Sequence, residues 1–424
     1  MGLLATEVFV PGSFPVHTYV ERTSERLEQA LRDALETPGQ VVSLSGPSKS
    51  GKTVLVERVA GRDFLIPVSG AGLDSADEIW DRVLDWMDLP QTTTRQRSLQ
   101  GSASLEGSAA GGATIPLVAK GELRMTAGGE VSRSSERGED RARRGMAQVL
   151  DEIGKSEFVV LVDDFHYMPR AVQVGAAKVL KEAVRLGLKV VTAAVSHRGD
   201  DVVRANPELR GRVRAVDLDY WPGEELAQIA KSGFEALNAS IPENEIDTMV
   251  AEAAGSPQLM QLICLQACFV LDLREKSVLP KRLEIDSGTF TAILGQASSA
   301  TDFRSLVDVL DGGPMTRGTE RKMYSFHDGT QGDVYRCVLK AIASDPPRLS
   351  LKYSELMERA AAICTSEAPV GSSVTSACVQ MAKLAKEKFP LERVIDWDEE
   401  KQTLDIPDPY LLFYLRWSGR LREA

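Results

Sequence analysis

Short apolar runs alternate along the first half of the chain with stretches whose apolar positions recur every three or four residues. The runs cover 41–45, 64–68, 158–164, 188–198 and 213–218, and each predicts a strand. The third, Phe158-Val-Val-Leu-Val-Asp-Asp, is apolar without interruption up to two acids. Continuous patterning of this kind belongs to strands buried on both faces of a parallel sheet. Helical spacing lies between the runs. Leu27, Ala30, Leu31 and Leu35 form one stripe, Leu55, Val56, Val59 and Ala60 a second, and Ile79, Trp80, Val83 and Leu84 a third. Further helices are predicted over 141–153 and 171–186. Strand and helix in alternation predict an α/β domain around a parallel sheet.

After 218 the pattern becomes helical only. Segments 224–237, 243–254 and 257–271 carry apolar stripes, and Gly255-Ser256-Pro257 separates the last two. Residues 301–330 are polar and glycine-rich and predict a linker. The remainder reads as helices over 333–343, 354–363 and 374–389, strands near 393–397 and 403–406, and a closing apolar helix after Pro409. Three helices and a hairpin make the winged-helix plan. The expected organisation is an α/β core over 1–218, a helical lid over 219–300, a linker over 301–330 and a winged-helix unit over 331–424.

One stretch interrupts the core. Residues 91–112 are rich in Gly, Ser, Ala and Thr, and 117–126 alternates apolar and polar positions between glycine pairs. This predicts a glycine-rich insertion at about 91–139 carrying a β-hairpin, either a surface decoration or a contact surface.

The chemistry starts at the end of the first strand. Gly46-Pro47-Ser48-Lys49-Ser50-Gly51-Lys52-Thr53 has the spacing G-x-x-x-x-G-K-[ST], and a helix follows from Lys52 through Val54 onward. The glycines let backbone N–H groups wrap a phosphate at a helix N-terminus. Lys52 is placed to reach the β- and γ-phosphates of a nucleotide, and the Thr53 hydroxyl to ligate Mg²⁺. The stretch from Gly46 to Val54 is therefore the expected nucleotide contact. The acids ending the third strand complete it: Asp163 as a magnesium ligand, Asp164 as the base that polarises the attacking water. Arg198, at the end of the fourth strand, could sense the γ-phosphate or be a surface arginine at a strand end. Arg210 and Arg212, just before the fifth strand, could enter a neighbouring subunit's site, close their own, or do neither. Residues 1–22, with two prolines and a glycine in an extended lead-in, offer Tyr19 as a stacking partner for a base or as a packing residue.

Composition narrows the setting. The 424 residues carry 61 acids and 50 lysines and arginines, a net charge of −11, which argues against a general nucleic-acid coating. Five cysteines without a framework pattern fit a reduced compartment. No apolar stretch is long enough for a bilayer, no signal peptide opens the chain, and Met1-Gly-Leu-Leu-Ala-Thr6 fits only the loose myristoylation pattern. The expected location is the cytoplasm, with no membrane partner.

With these motifs in place the chain resembles the STAND class of signal-transduction P-loop ATPases, relatives of AAA+ and origin-recognition-type ATPases. Gly46 to Thr53 resembles Walker A and Val159 to Asp164 resembles Walker B. Arg198 resembles the sensor-1 arginine, and Gly255-Ser256-Pro257 the lid motif whose proline, Pro257, packs near adenine. Two departures from AAA+ practice favour STAND: Asp163-Asp164 in place of Asp-Glu, and Gln258 where a sensor-2 arginine is common. The resemblance implies ATP and ADP as ligands, Mg²⁺ as cofactor, slow hydrolysis and oligomerisation of like chains on ATP binding. It also implies a signalling role, in bacterial defence or regulation, with a separate protein partner or effector. The alternative is an AAA+-like ATPase that binds DNA through its winged helix. Ser373, Thr375, Gln380, Lys383 and Lys386 are the residues that would meet DNA, against an acidic turn at Asp398, Glu399 and Glu400.

Overall fold

The computed structural model describes residues 2–22, 25–88, 137–195, 209, 211–315, 321–389 and 394–422. The hairpin expected near 117–126, the strand tip at Ser196 and Arg198, and Arg210 lie outside the described residues.

Five parallel strands form the central sheet: β1 (Val41–Ser45), β2 (Leu65–Ser69), β3 (Val159–Asp163), β4 (Lys189–Ala194) and β5 (Val213–Asp217). Their order is β2-β3-β4-β1-β5, so β4 stands between the strand that enters the P-loop and the strand that ends in the acids. All five residues of β1 are buried, as its central place requires. Strand alternation sends successive side chains to opposite faces. Val42, Leu44, Val159, Leu161 and Val191 meet helices α2 (Leu27–Glu36) and α3 (Lys52–Ala60) on one face. Ile66, Val68, Val160, Val162 and Val190 meet α4 (Glu78–Trp86), α5 (Arg137–Ile153) and α6 (Arg170–Arg185) on the other. Each fully buried Val or Leu contributes roughly 1.5–3 kcal/mol. A four-residue helix, α1 (Ala5–Val8), precedes these elements.

The lid holds α7 (Gly223–Ala236), α8 (Glu243–Ala253), α9 (Pro257–Val270) and a fourth helix not expected from the pattern, α10 (Ser287–Ser299). Capping side chains start two of them: Ser256 accepts from the Leu259 N–H at 3.2 Å, with Pro257 in the first turn, and Asp286 accepts from Thr289 at 2.7 Å. The lead-in packs here rather than on the sheet. Ala5, Val8, Phe9 and Val20 are buried among the lid's own side chains.

Part of the expected linker is folded. Residues 304–312 form α11 (Arg304–Gly312), which buries Leu306, Val307 and Leu310 in the C-terminal core. Their helical spacing outweighs the glycines and aspartates around them. In the C-terminal unit, α12 (Val334–Ala343), β6 (Ser350–Lys352), α13 (Tyr353–Ile363), α14 (Gly371–Lys388), β7 (Asp396–Asp398) and β8 (Thr403–Asp405) follow in turn. The short β6 joins the hairpin in an antiparallel sheet ordered β6-β8-β7. The closing helix α15 (Pro409–Trp417) serves two cores. Tyr410 and Phe413 lie in the lid cluster, while Leu411, Leu412, Tyr414 and Leu415 lie in the C-terminal one. Among the described residues no helix is long and apolar enough to cross a membrane.

Candidate nucleotide site

The site forms where the strands end. At the C-terminal end of β1 the Ser45 carbonyl accepts from the Leu218 N–H at 2.7 Å. A Cβ at Gly46 would come within 2.8 Å of the Leu218 Cβ, so only glycine lets the loop leave the sheet here. Lys49 and Gly51 take positive φ of 61° and 91°, which curls the loop before α3 begins at Lys52. Two lid-side contacts hold the loop. Trp221 Nε1 donates to the Ser50 carbonyl at 2.9 Å, and Ser256 Oγ reaches the Lys49 carbonyl at 3.5 Å.

Asp163 faces the loop because of strand parity. Val159 and Leu161 point to the α3 side of the sheet, and residue 163 follows on that side. Its Oδ2 accepts from Thr53 Oγ1 at 2.7 Å, and its Oδ1 accepts from the Asp164 N–H at 2.8 Å. Asp164 turns the chain with φ 55°. Its carbonyl comes so close that a Cβ at Gly70 would lie 2.7 Å from it.

Lys52 folds back over the loop and donates to the Pro47 carbonyl at 2.7 Å and the Gly46 carbonyl at 3.1 Å. Burial pulls its ammonium below the ordinary lysine value, and the charges of Asp163 and Asp164 oppose that shift. The Asp164 carboxyl is held above its usual range, first by burial and then by the charge of Asp163, with Lys52 working the other way.

These groups open on a cleft of about 440 Å³. Ser48 to Leu55, Asp163, Asp164, Ala194 and Val195 line its phosphate end. Val10 to Phe14, Tyr19, Trp221, Pro257, Gln258 and Gln261 line the remainder. Such a volume suits a nucleotide-sized ligand. The residues also fit a magnesium–phosphate group. Ser50 is 2% exposed and its Oγ has no hydrogen-bond partner among the described residues, an orphan that a phosphate oxygen inside the loop would satisfy. Thr53 and Asp163 bring two hard oxygens together, the donor type that Mg²⁺ takes.

The structure thus brings together Gly46 through Val54, Asp163, Asp164, Pro257 and Tyr19 around one cleft, although Gly46 and Pro47 shape the loop without lining the cavity. Tyr19 is already engaged: its ring stacks on Phe14 at 5.7 Å, Arg58 lies 5.0 Å over it, and its hydroxyl donates to Glu28. Arg212 is elsewhere. Val213 pairs with Val41 and Asp217 with Ser45, so Arg212 sits at the opposite end of the sheet from the loop. At about 3.3 Å per residue, five strand residues put it roughly 16 Å away, too far to close its own site. Trp221 and Gln261 were not singled out from the pattern, whereas the 10–14 wall falls within the lead-in that the prolines and glycine at 11, 12 and 15 mark.

No family model matches the chain, and no curated protein does. Solved structures do. The Walker-type ATPase of Pyrococcus abyssi is 15% identical with a TM-score of 0.50, over 95% of this chain and 99% of that one. The ORC2 protein of Aeropyrum pernix, in ADPNP and ADP complexes, is 12% identical with a TM-score of 0.50, over 98% and 97%. The chain has the fold of an origin-recognition-like AAA+ P-loop ATPase. Both likenesses run nearly end to end, over the helical and C-terminal parts of the chain as well as the sheet.

Proposed function

We propose that the chain binds Mg·ATP in the cleft and hydrolyses it slowly, as a STAND-type switch. The observation that carries this reading is the Thr53–Asp163 contact of 2.7 Å, which joins two elements 110 positions apart at the mouth of a phosphate-shaped loop. Magnesium, when bound, would supply charge for the phosphates and a fixed point for the terminal one. Thr53 and Asp163 would hold it. Lys52 would leave the carbonyls of Gly46 and Pro47 for the phosphate oxygens, where its charge is better used. Asp164, raised in basicity by burial, would take a proton from the attacking water. Arg198 is proposed to sense the terminal phosphate, Arg210 or Arg212 to act on a neighbouring copy, and Pro257 to pack near the base.

The switch reading draws support from the reach of the C-terminal unit to the loop. Lys49 Nζ lies 2.8 Å from Asp408, just ahead of α15. A change at the phosphates would therefore be felt by a distant part of the fold. Assembly of like chains and docking of a protein effector are the proposed output.

DNA loading is the second reading, favoured by the exposed Lys383 and Lys386 on the 18-residue α14. The acidic turn at Asp398, Glu399 and Glu400 works against it.

Calorimetry with Mg·ATP tests the site. Wild type should bind, and Lys52→Ala should weaken binding at least about 100-fold, in line with about 3 kcal/mol for a buried charge-assisted contact. No heat with the wild type would overturn the nucleotide reading. Duplex DNA binding that falls with salt and is lost on Lys383→Ala with Lys386→Ala would favour the second reading.

A further inference from the structure

The two walls of the cleft belong to different parts of the fold. The phosphate wall is built on the sheet, whereas residues 10–20 form a strap over the remainder. The strap's buried anchors are in the lid. Phe9 is fully buried, 5.1 Å from the Phe234 ring. It packs over Gly233, where any Cβ would come within 2.2 Å of it. The polar anchor is Gln261 on α9, 4% exposed. Its Oε1 accepts from the Val10 N–H at 3.2 Å, and its Nε2 donates to Thr18 Oγ1 at 2.7 Å. Thr18, 1% exposed, donates from its own hydroxyl to the Val8 carbonyl at 3.1 Å. One amide therefore ties both ends of residues 10–18. Contacts to the sheet side, Tyr19 to Glu28 and Arg62 over Phe14, lie at the partly exposed rim.

We propose that Gln261 is a positioning residue for the base-and-sugar end of the nucleotide site, binding the strap to the lid helix that also carries Pro257 and Gln258 into the cleft. The proposal rests on the nucleotide reading. Its physical basis is that the strap has no ladder of its own. Pro11 and Pro15 lack an N–H, and the backbone bonds within the strap, Ser13 N–H to the Val10 carbonyl and Val16 N–H to the Phe14 carbonyl, are local turns, so the Gln261 amide decides where the strap stands. Without it the Val10 N–H and the Thr18 hydroxyl lose buried partners, and the strap has reason to move towards water. The phosphate loop, anchored through Trp221 and Leu218, keeps its shape.

The test is made on the full chain, with Mg·ATP and Mg·tripolyphosphate as ligands and hydrogen exchange as a second readout. Gln261→Leu should weaken Mg·ATP about tenfold and leave tripolyphosphate within about twofold. Amides of residues 10–20 should exchange faster, while those of α9 and the P-loop keep their protection. Thr18→Val should act the same way and Thr18→Ser should restore wild-type behaviour, which settles the matter even where Gln261→Leu does not fold. Equal losses for both ligands, or unchanged exchange in the strap, would overturn the proposal. A wild type that binds neither ligand would sink the nucleotide reading, and the exchange data would still report whether Gln261 holds the strap.

Discussion

Lys49, inside the phosphate-binding loop, lies 2.8 Å from the carboxylate of Asp408 and 4.1 Å over the Tyr410 ring. The partners are 359 positions apart, and Asp408 also caps α15 by accepting from the Tyr410 N–H at 2.9 Å. A carboxylate this near the loop neutralises a cation that would otherwise favour phosphates, and adds a like charge beside them. Asp408→Asn keeps the cap and removes the charge. It should tighten Mg·ATP about threefold to tenfold, and ADP by less, in line with a partly buried pair interaction of about 1 kcal/mol. Calorimetry with both nucleotides checks this.

Asp164→Asn should leave Mg·ATP affinity near wild type and lower turnover about 100-fold or more. The wild-type rate should fall on the acid side as the Asp164 carboxylate takes up a proton. The stability sign follows from its raised folded-state value. Ionised Asp164 is disfavoured by folding, so its cost is complete above the folded value and vanishes below the unfolded one. The amide variant should therefore melt higher than wild type at neutral pH, and the gap should close as the solution is acidified. Thermal scans at several pH values read this directly.

Chelation of magnesium gives a separate check on Asp163. EDTA should weaken ATP binding by the wild type about tenfold or more. In Asp163→Ala that effect should shrink to about threefold or less, because the oxygen facing Thr53 is gone. Titration in the presence and absence of Mg²⁺ distinguishes the two.

The joint between α8 and α15 is a stability prediction. Glu252 is 6% exposed and accepts from Arg416 Nε at 2.9 Å, from the other arm of that guanidinium at 2.6 Å, and from Trp417 Nε1 at 2.6 Å. Glu252→Ala leaves the buried Arg416 without its inner partner and should cost about 3–5 kcal/mol. Glu252→Gln should cost less. Urea unfolding measures both.

Much of the fold was legible because its signals are local. Five apolar runs gave the sheet, and the Gly46–Thr53 spacing marked the loop between β1 and α3. The Thr53–Asp163 meeting was legible too, since a strand ending in acids must deliver them at the same edge as the loop. Short or weakly marked elements escaped. β6 has three residues, and α11 hides between glycines and aspartates although Leu306, Val307 and Leu310 keep helical spacing. Tyr19 was placed at the cleft, but no pattern reveals that its ring is taken by Phe14 and its hydroxyl by Glu28. The Lys49–Asp408 pair was beyond reach for the same reason: long-range partners leave no mark on their neighbours in sequence.

Helix α15 divides its side chains between two hydrophobic interiors. Prising the lid from the C-terminal unit would bare Tyr410 and Phe413 on one side or Leu411, Leu412 and Leu415 on the other, at roughly 1.5–3 kcal/mol for each side chain wetted. Helix α15 therefore rivets the lid to the C-terminal unit, and any motion that parts them must first wet one of the two interiors.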